Sequence, residues 1–297
     1  MEYKLKQFLL LEMLSFISLG SGSSGNSALV YTGKTFILVD AGISAKQLRI
    51  RLGDAGVDPD RLDGILITHE HGDHTRGLEV FCRKLDVPIY CNAVTRESLS
   101  SNVSSAKSWR IIECGDPFSI GDILINGFPV MHDAVDPMGF IFEKNGKKFG
   151  FVSDVGHVTE IMKSTLSDVD TIFIEANYDE TLLQNDERRP WSLKQRIASR
   201  HGHLSNKQAA ELIGSIAREG SLERVVLAHL SEDCNSPKIA KAEIILALSM
   251  KGISGVEVIC AKRDQVSGPF TVEGFGEEDA QFDKRGDYSQ GEFTLFD

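Results

Sequence analysis

Residues 68–74 read Thr-His-Glu-His-Gly-Asp-His and follow directly on the apolar run Ile65-Leu66-Ile67. Three of the chain's eight histidines fall in this one stretch. A buried strand that ends in such a turn can aim alternate side chains at a common point. Imidazole and carboxylate together are the donor set of zinc, manganese and iron sites. Four candidate ligands within six residues are dense enough for two ions, with His69 and His71 serving one and Asp73 and His74 the other. Strands fix geometry while the loops beyond them supply chemical groups, so the remaining ligands are expected just past strand ends. His132 follows the run 125–131, Asp154 follows 147–153, and His229 follows 224–228. A lone histidine is ordinarily a packing or surface residue. Three strand-end groups downstream of a dense histidine loop argue against that reading here.

The rest of the chain supplies the strands this requires. Runs 14–19, 28–32 and 35–40 read as strands, the last two joined by Gly33-Lys34 as a tight turn, and the glycine-rich 20–27 between the first two is a loop. Residues 44–55 have helical spacing through Ala45, Leu48, Leu52 and Ala55. A buried strand is expected at 64–68 and a helix over 75–84. Strands 123–129, 140–144 and 148–153 come next, followed by strand 171–175, helix 205–218, strand 224–228, helix 237–250 and strand 256–260. Strands first, then strands interleaved with helices, predict an α/β chain with two sheets sandwiched between helices in one domain.

With 297 residues, 41% of them hydrophobic, the chain can bury a sizeable core. The five cysteines are odd in number and form no C-x-x-C pair, which indicates reduced thiols and a cytoplasmic protein. Lys4 and Lys6 precede an apolar stretch, but Glu12 interrupts it, and it is too short to span a bilayer. We therefore divide the chain into an extension at 1–12 (with Met13 as an alternative start), a catalytic domain at 13–273, and a disordered acidic tail at 274–297.

The net charge of −11 disfavours a nucleic-acid partner, yet residues 277–297 hold seven acids and two bases and so account for −5 of it. One stretch runs the other way. Arg188, Arg189, Lys194, Arg196, Arg200 and Lys207 occupy twenty residues without an acid. That pattern fits either a solvated helical face or a polyanion seat.

The pattern H-x-H-x-D-H followed by His, Asp and His at strand ends resembles the metallo-β-lactamase fold, an αββα sandwich. The resemblance covers roughly residues 14–265. It implies that His69, His71 and His132 bind a first metal, that Asp73, His74 and His229 bind a second, and that Asp154 bridges both. "LVDAG" at 38–42 is similar to the fold's first motif, which makes Asp40 a brace behind the metal loop. Two divalent ions, zinc or manganese with iron as a further option, would activate water and clamp oxygens in any of several hydrolyses. Flavin-coupled di-iron relatives carry a glutamate where His71 stands, and many β-lactamases carry a cysteine at the third motif, which is absent here.

"FIEAN" at 173–177 and "HGHLS" at 201–205 resemble motifs of RNase Z-like phosphodiesterases, in which a glutamate–histidine pair sits beside the metals. That implies His203, held by Glu175, as proton donor to a leaving alkoxide, alongside Asp73 and Asp154 as catalytic groups. The plainer alternative is that Glu175 ends a core strand and His203 caps a helix. The 75-residue interval from Asp154 to His229 leaves no room for the inserted cap domain of RNase J.

Taken together, "SLGSGSSGNSALV", "LITHEHGDHTRGL", "FVSDVG", "FIEANYD", "HGHLSN" and "LAHLSEDCNSP" resemble the YycJ/WalJ-like exonuclease family. The resemblance implies 5′ to 3′ digestion of DNA in repair or replication. Arg188, Arg189, Lys194, Arg196, Arg200, Ser205 and Asn206 are the expected substrate contacts. Gln290, Phe293, Leu295 and Phe296 are similar to the peptide by which bacterial repair proteins engage the sliding clamp. The rival readings are a small-molecule or cyclic-phosphate hydrolase and a clamp- or DNA-associated scaffold with structural metals. No membrane partner is expected.

Overall fold

The computed structural model describes residues 13–217 and 222–272. The extension at 1–12 and the tail with its clamp-like peptide lie outside them. Two seven-stranded sheets face one another among the described residues. The first contains β1 (Ser15–Gly20), β2 (Ser27–Tyr31), β3 (Phe36–Val39), β4 (Gly64–Leu66), β5 (Ile89–Cys91) and β6 (Trp109–Ile111). The second contains β7 (Phe118–Ile120), β8 (Ile123–Pro129), β9 (Met138–Lys144), β10 (Lys147–Val152), β11 (Thr171–Glu175), β12 (Arg224–Ala228) and β13 (Glu257–Cys260). β14 (Ser267–Thr271) returns to the first sheet and pairs with β1, so the orders are β14-β1-β2-β3-β4-β5-β6 and β13-β12-β11-β10-β9-β8-β7. Each sheet is antiparallel at one side and parallel at the other, with β3 to β6 and β10 to β13 running parallel.

The two-residue period of the strands sorts side chains into layers. Ile37 and Val39 of β3 face the second sheet, while Phe36 and Leu38 face the helices Ala45–Asp54 and Leu78–Cys82. In β11, Phe173 points inward, and Ile172 and Ile174 pack under the helices Asn206–Ile216 and Pro237–Met250. The layer between the sheets is aromatic. Phe16 stacks on Phe149 at 4.0 Å between centroids, and Phe151 on Phe173 at 4.8 Å. The predicted αββα sandwich is the observed architecture.

Local chemistry explains the helix ends. Ser44 and Ser236 accept the backbone N–H groups of Gln47 and Ile239, and Ser205 with Gln208 forms a reciprocal capping box. The expected helix over 75–84 is instead two short ones, Gly72–Thr75 and Leu78–Cys82. The break sits at Gly77, whose N–H bonds Ala41 O, and a Cβ there would meet Ile43 O at 2.2 Å. Close approach of the 41–43 loop thus stops the helix. Sequence reasoning did not anticipate β5, β6, β7, β14 or the helix Trp191–Ile197. Among the described residues, no helix is long and apolar enough to cross a membrane.

Candidate metal centre

The strand ends bring the predicted groups together. His69, His71, Asp73 and His74 follow β4, His132 follows β8, Asp154 follows β10, Glu175 ends β11 and His229 follows β12. Their donor atoms fall into groups whose members lie within 4.8 Å of one another: His69 with His71, His132 and Asp154; Asp73 with His74 and Asp154; and Asp154 with Glu175, His203 and His229. Asp154 is the member common to all three. Its Oδ2 lies 3.4 Å from His74 Nε2, 3.6 Å from His132 Nε2 and 3.9 Å from His69 Nε2.

Hydrogen bonds behind the rings determine which nitrogen faces this carboxylate. His74 Nδ1 donates to Asp40 Oδ2 at 2.7 Å, and His132 Nδ1 donates to Gly202 O at 2.8 Å. The Thr68 hydroxyl donates to Asp40 Oδ2 at 2.8 Å, so its oxygen accepts from His69 Nδ1 at 3.0 Å. In each ring Nδ1 is thereby committed to a partner behind the site, which turns Nε2, the nitrogen a cation would take, toward the centre. Asp40 carries this arrangement from full burial, in the left-handed region at φ 59°, also accepting Thr68 N–H at 2.8 Å. His229 is the other non-glycine site residue there, at φ 51°. It is held by its N–H to Ser21 Oγ and its carbonyl to Asn177 Nδ2, each at 2.8 Å. Such conformations persist where surrounding bonds over-determine them.

A bound cation suits what these residues leave unpaired. His69 Nε2 and both ring nitrogens of His229 are buried without a hydrogen-bond partner, a costly condition for protein polar atoms. His229 Nδ1 does approach Asp154 Oδ1 at 2.6 Å and Glu175 Oε1 at 3.0 Å, but outside hydrogen-bond alignment. Burial, with His74 next to it, holds His69 well below the ordinary imidazole range, so it is a neutral donor. Burial opposes a charge on His229, yet Asp154 and Glu175 outweigh it and raise the ring to about 10. Asp154 is likewise held well below the carboxylate range: burial resists, and His229 and His74 prevail. A cation at this centre would take the place of the protons that Asp154 and Glu175 draw onto these rings, and a nitrogen–oxygen donor set of this kind fits divalent zinc, manganese or iron.

Behind the centre, Gly42 lies against the histidine loop so tightly that a Cβ would meet Asp73 O at 1.6 Å. Asn26 N–H bonds that same carbonyl at 2.7 Å, and the Asn26 side-chain amide reaches His74 Nε2 at 3.1 Å. The glycine-rich loop is therefore the floor of the site.

In front opens a cavity of about 320 Å3, lined by His71, Asp73, His132, Asp154, His203 and His229 together with Ser23, Arg76, Asp133, Leu193, Arg196 and Ile197. His203 Nδ1 donates to Glu175 Oε1 at 2.7 Å, and Glu175 Oε2 accepts Val155 N–H and Leu204 N–H at 2.9 and 3.2 Å. Burial would raise Glu175, but His203 above all pulls it down to about 2. Burial likewise lowers His203, and Glu175 reverses this to leave it above its ordinary value.

The expected substrate contacts scatter. Arg196 lines the cavity and pairs with Asp133. Arg188 and Arg189 instead bind Asp186 and Asp233, and Lys194 donates to Gln184 O at 2.8 Å beside a separate cavity. Arg200 is exposed outside the lining. Ser205 and Asn206 are buried, the first as a helix cap and the second paired with Asn235. Arg76 and Asp133, which do line the cavity, went unremarked, although each stands within two residues of a predicted ligand.

Residues 35–230 match the family model described as a Beta-lactamase superfamily domain. The chain is 37% identical to exodeoxyribonuclease YycJ of Bacillus anthracis over 242 residues, 80% of this chain and 90% of that one. It is 38% identical to exodeoxyribonuclease WalJ of Streptococcus pneumoniae over 237 residues, 78% of this chain and 87% of that one. Among solved structures, the metallo-beta-lactamase fold protein YhfI of Bacillus subtilis superposes with a TM-score of 0.67 at 17% identity, covering 86% of this chain and 99% of that one. The chain belongs to the metallo-β-lactamase superfamily and, within it, to the family of the YycJ and WalJ exodeoxyribonucleases.

Proposed function

We propose that this protein is a metal-dependent phosphodiesterase that digests DNA from an end, using two divalent cations. His69, His71 and His132 would hold one cation and Asp73, His74 and His229 the other, with Asp154 shared. The observation that carries the reading is the convergence on Asp154 of His69, His71 and His132, of Asp73 and His74, and of His229 together with the Glu175–His203 pair. The identity to relatives named as exodeoxyribonucleases supports DNA as the substrate. When bound, the cations supply an activated water and neutralise charge on the phosphate.

The chain's own residues do the rest. Glu175 orients His203 through Nδ1, which leaves Nε2 to protonate the departing oxygen. Arg196 and Arg76, both in the cavity lining, would face the phosphate oxygens. Leu193 and Ile197 give one wall an apolar surface. Zinc or manganese matches the donors best. The peptide Gln290, Phe293, Leu295 and Phe296 supports, from sequence alone, docking to the sliding clamp.

The test is a substrate panel assayed with zinc and with manganese: 5′-labelled and 3′-labelled single-stranded and duplex DNA, RNA, and bis(p-nitrophenyl) phosphate. Release of 5′ mononucleotide label from DNA is the expected result. Cleavage of the small diester alone would move the protein to the small-molecule phosphodiesterases, and no cleavage of any polynucleotide would refute the reading.

A further inference from the structure

One carboxylate at the centre belongs to none of the donor groups. Asp133 directs Oδ1 toward the ring nitrogens of the first group, 3.7 Å from His132 Nε2 and 3.9 Å from His71 Nε2. Its other oxygen, Oδ2, accepts from Arg196 Nε at 2.8 Å and lies 2.6 Å from Nη2. The side chains are 32% and 67% exposed, so packing locks neither in place. A single carboxylate thus stands between two cationic claims: the ring nitrogens that would hold a dication, and a guanidinium at the cavity lip. Ion pairs this exposed are weak. A doubly charged ion at similar distance attracts the carboxylate more strongly than one guanidinium does.

We propose that Asp133 is a positioning residue that couples cation occupancy of the His69–His71–His132 group to the freedom of Arg196 to grip a substrate phosphate. The inference rests on the phosphodiester reading above. While Asp133 is committed to Arg196, the Nε donor is spent and Nη2 is held against the same oxygen. Once a cation draws the carboxylate inward, the planar fork is released to take two phosphate oxygens. Arg76, which also lines the cavity, bonds the Ser24 carbonyl at 3.1 Å, so it lies outside this competition. By linkage, a nucleic-acid strand should in turn tighten cation binding.

The experiment measures binding of a fluorescent phosphorothioate single strand, which resists cleavage, to the full chain by anisotropy. The protein is used after chelation and after manganese is restored, with circular dichroism reporting its fold in both conditions. Arg196→Ala is expected to weaken binding less than about twofold in chelated protein and about tenfold in loaded protein, the loss of a charge-assisted contact. In an Asp133→Asn background, the same substitution should cost about tenfold in both states. Asp133→Ser, which removes the carboxylate differently, should reproduce the pattern. Equal cost of Arg196→Ala in the two cation states of protein retaining Asp133 would overturn the proposal, as would a difference that survives in both Asp133 variants. Absence of strand binding by the unsubstituted loaded protein would instead remove the nucleic-acid reading, and the coupling with it.

Discussion

Asp40→Asn isolates the brace behind the histidine loop. The side chains have the same shape, and asparagine tolerates the left-handed backbone as readily as aspartate, so φ 59° is no obstacle. Of the three bonds to the carboxylate, Thr68 N–H to Oδ1 survives with the amide oxygen there, and the Thr68 hydroxyl can reverse and accept. His74 cannot adapt without cost. An amide nitrogen 2.7 Å from Nδ1 forces that nitrogen to accept and moves the ring proton to Nε2, the atom facing Asp154. Restoring the useful tautomer sets two buried N–H donors face to face with neither satisfied, a cost of roughly 2 kcal/mol. At 1.4 kcal/mol per tenfold, this is about a 30-fold loss of affinity for the cation that His74 would hold, within the usual range for such supporting partners. Competition against a chromophoric chelator measures it directly, with the Asp73–His74–His229 cation expected to weaken and the His69–His71–His132 cation nearly unaffected. Wild-type affinity for both cations in a folded Asp40→Asn protein would refute the tautomer argument.

Three further outcomes follow from the geometry. Glu175 keeps His203 protonated above its ordinary range, so activity that needs its proton is present below that raised value and lost as pH climbs through it. Glu175→Gln should shift the alkaline limb of the kcat–pH profile to lower pH, and an unmoved limb would show that His203 is not the donor. Gly42→Ala drives a methyl into Asp73 O, so the histidine loop must shift. We expect at least about 2 kcal/mol lost in urea unfolding and a marked fall in cation affinity, and a variant normal in both would contradict the packing. Phe16→Ala removes a fully buried ring from the inter-sheet stack and should cost about 3–5 kcal/mol by the same unfolding measurement, whereas a loss under about 1 kcal/mol would contradict it.

What sequence could show was set by how local the determinants are. β8, β11, β12 and the helix Pro237–Met250 came out at their observed bounds, because apolar runs bounded by turn and cap residues define them within a few positions. The ligand loop was legible for the same reason. β5 and β6 are three residues long, too short for a period to declare itself, and β14 owes its existence to β1, its partner across the length of the domain. The basic run misled for a related reason. Arg188 and Arg189 pair with Asp186, just outside the acid-free run, and with Asp233, 45 and 44 positions on, and counting charges within the run sees neither. Asp133 was invisible until the fold set it between His71 and Arg196.

The donor atoms do not come from one rigid element. His69 and His74 are carried by the first sheet, and Asp154 and His229 by the second. Sliding one sheet past the other would therefore pull the donors apart, and cation sites tolerate misplacement of only about 0.5 Å. Phe16 of the first sheet, stacked on Phe149 and edge-on to Phe173 of the second, resists that sliding. A conservative change in this layer, too mild to unfold the protein, should still detune the centre some distance away. The aromatic layer is in this sense the gauge against which the two halves of the proposed cation centre are aligned.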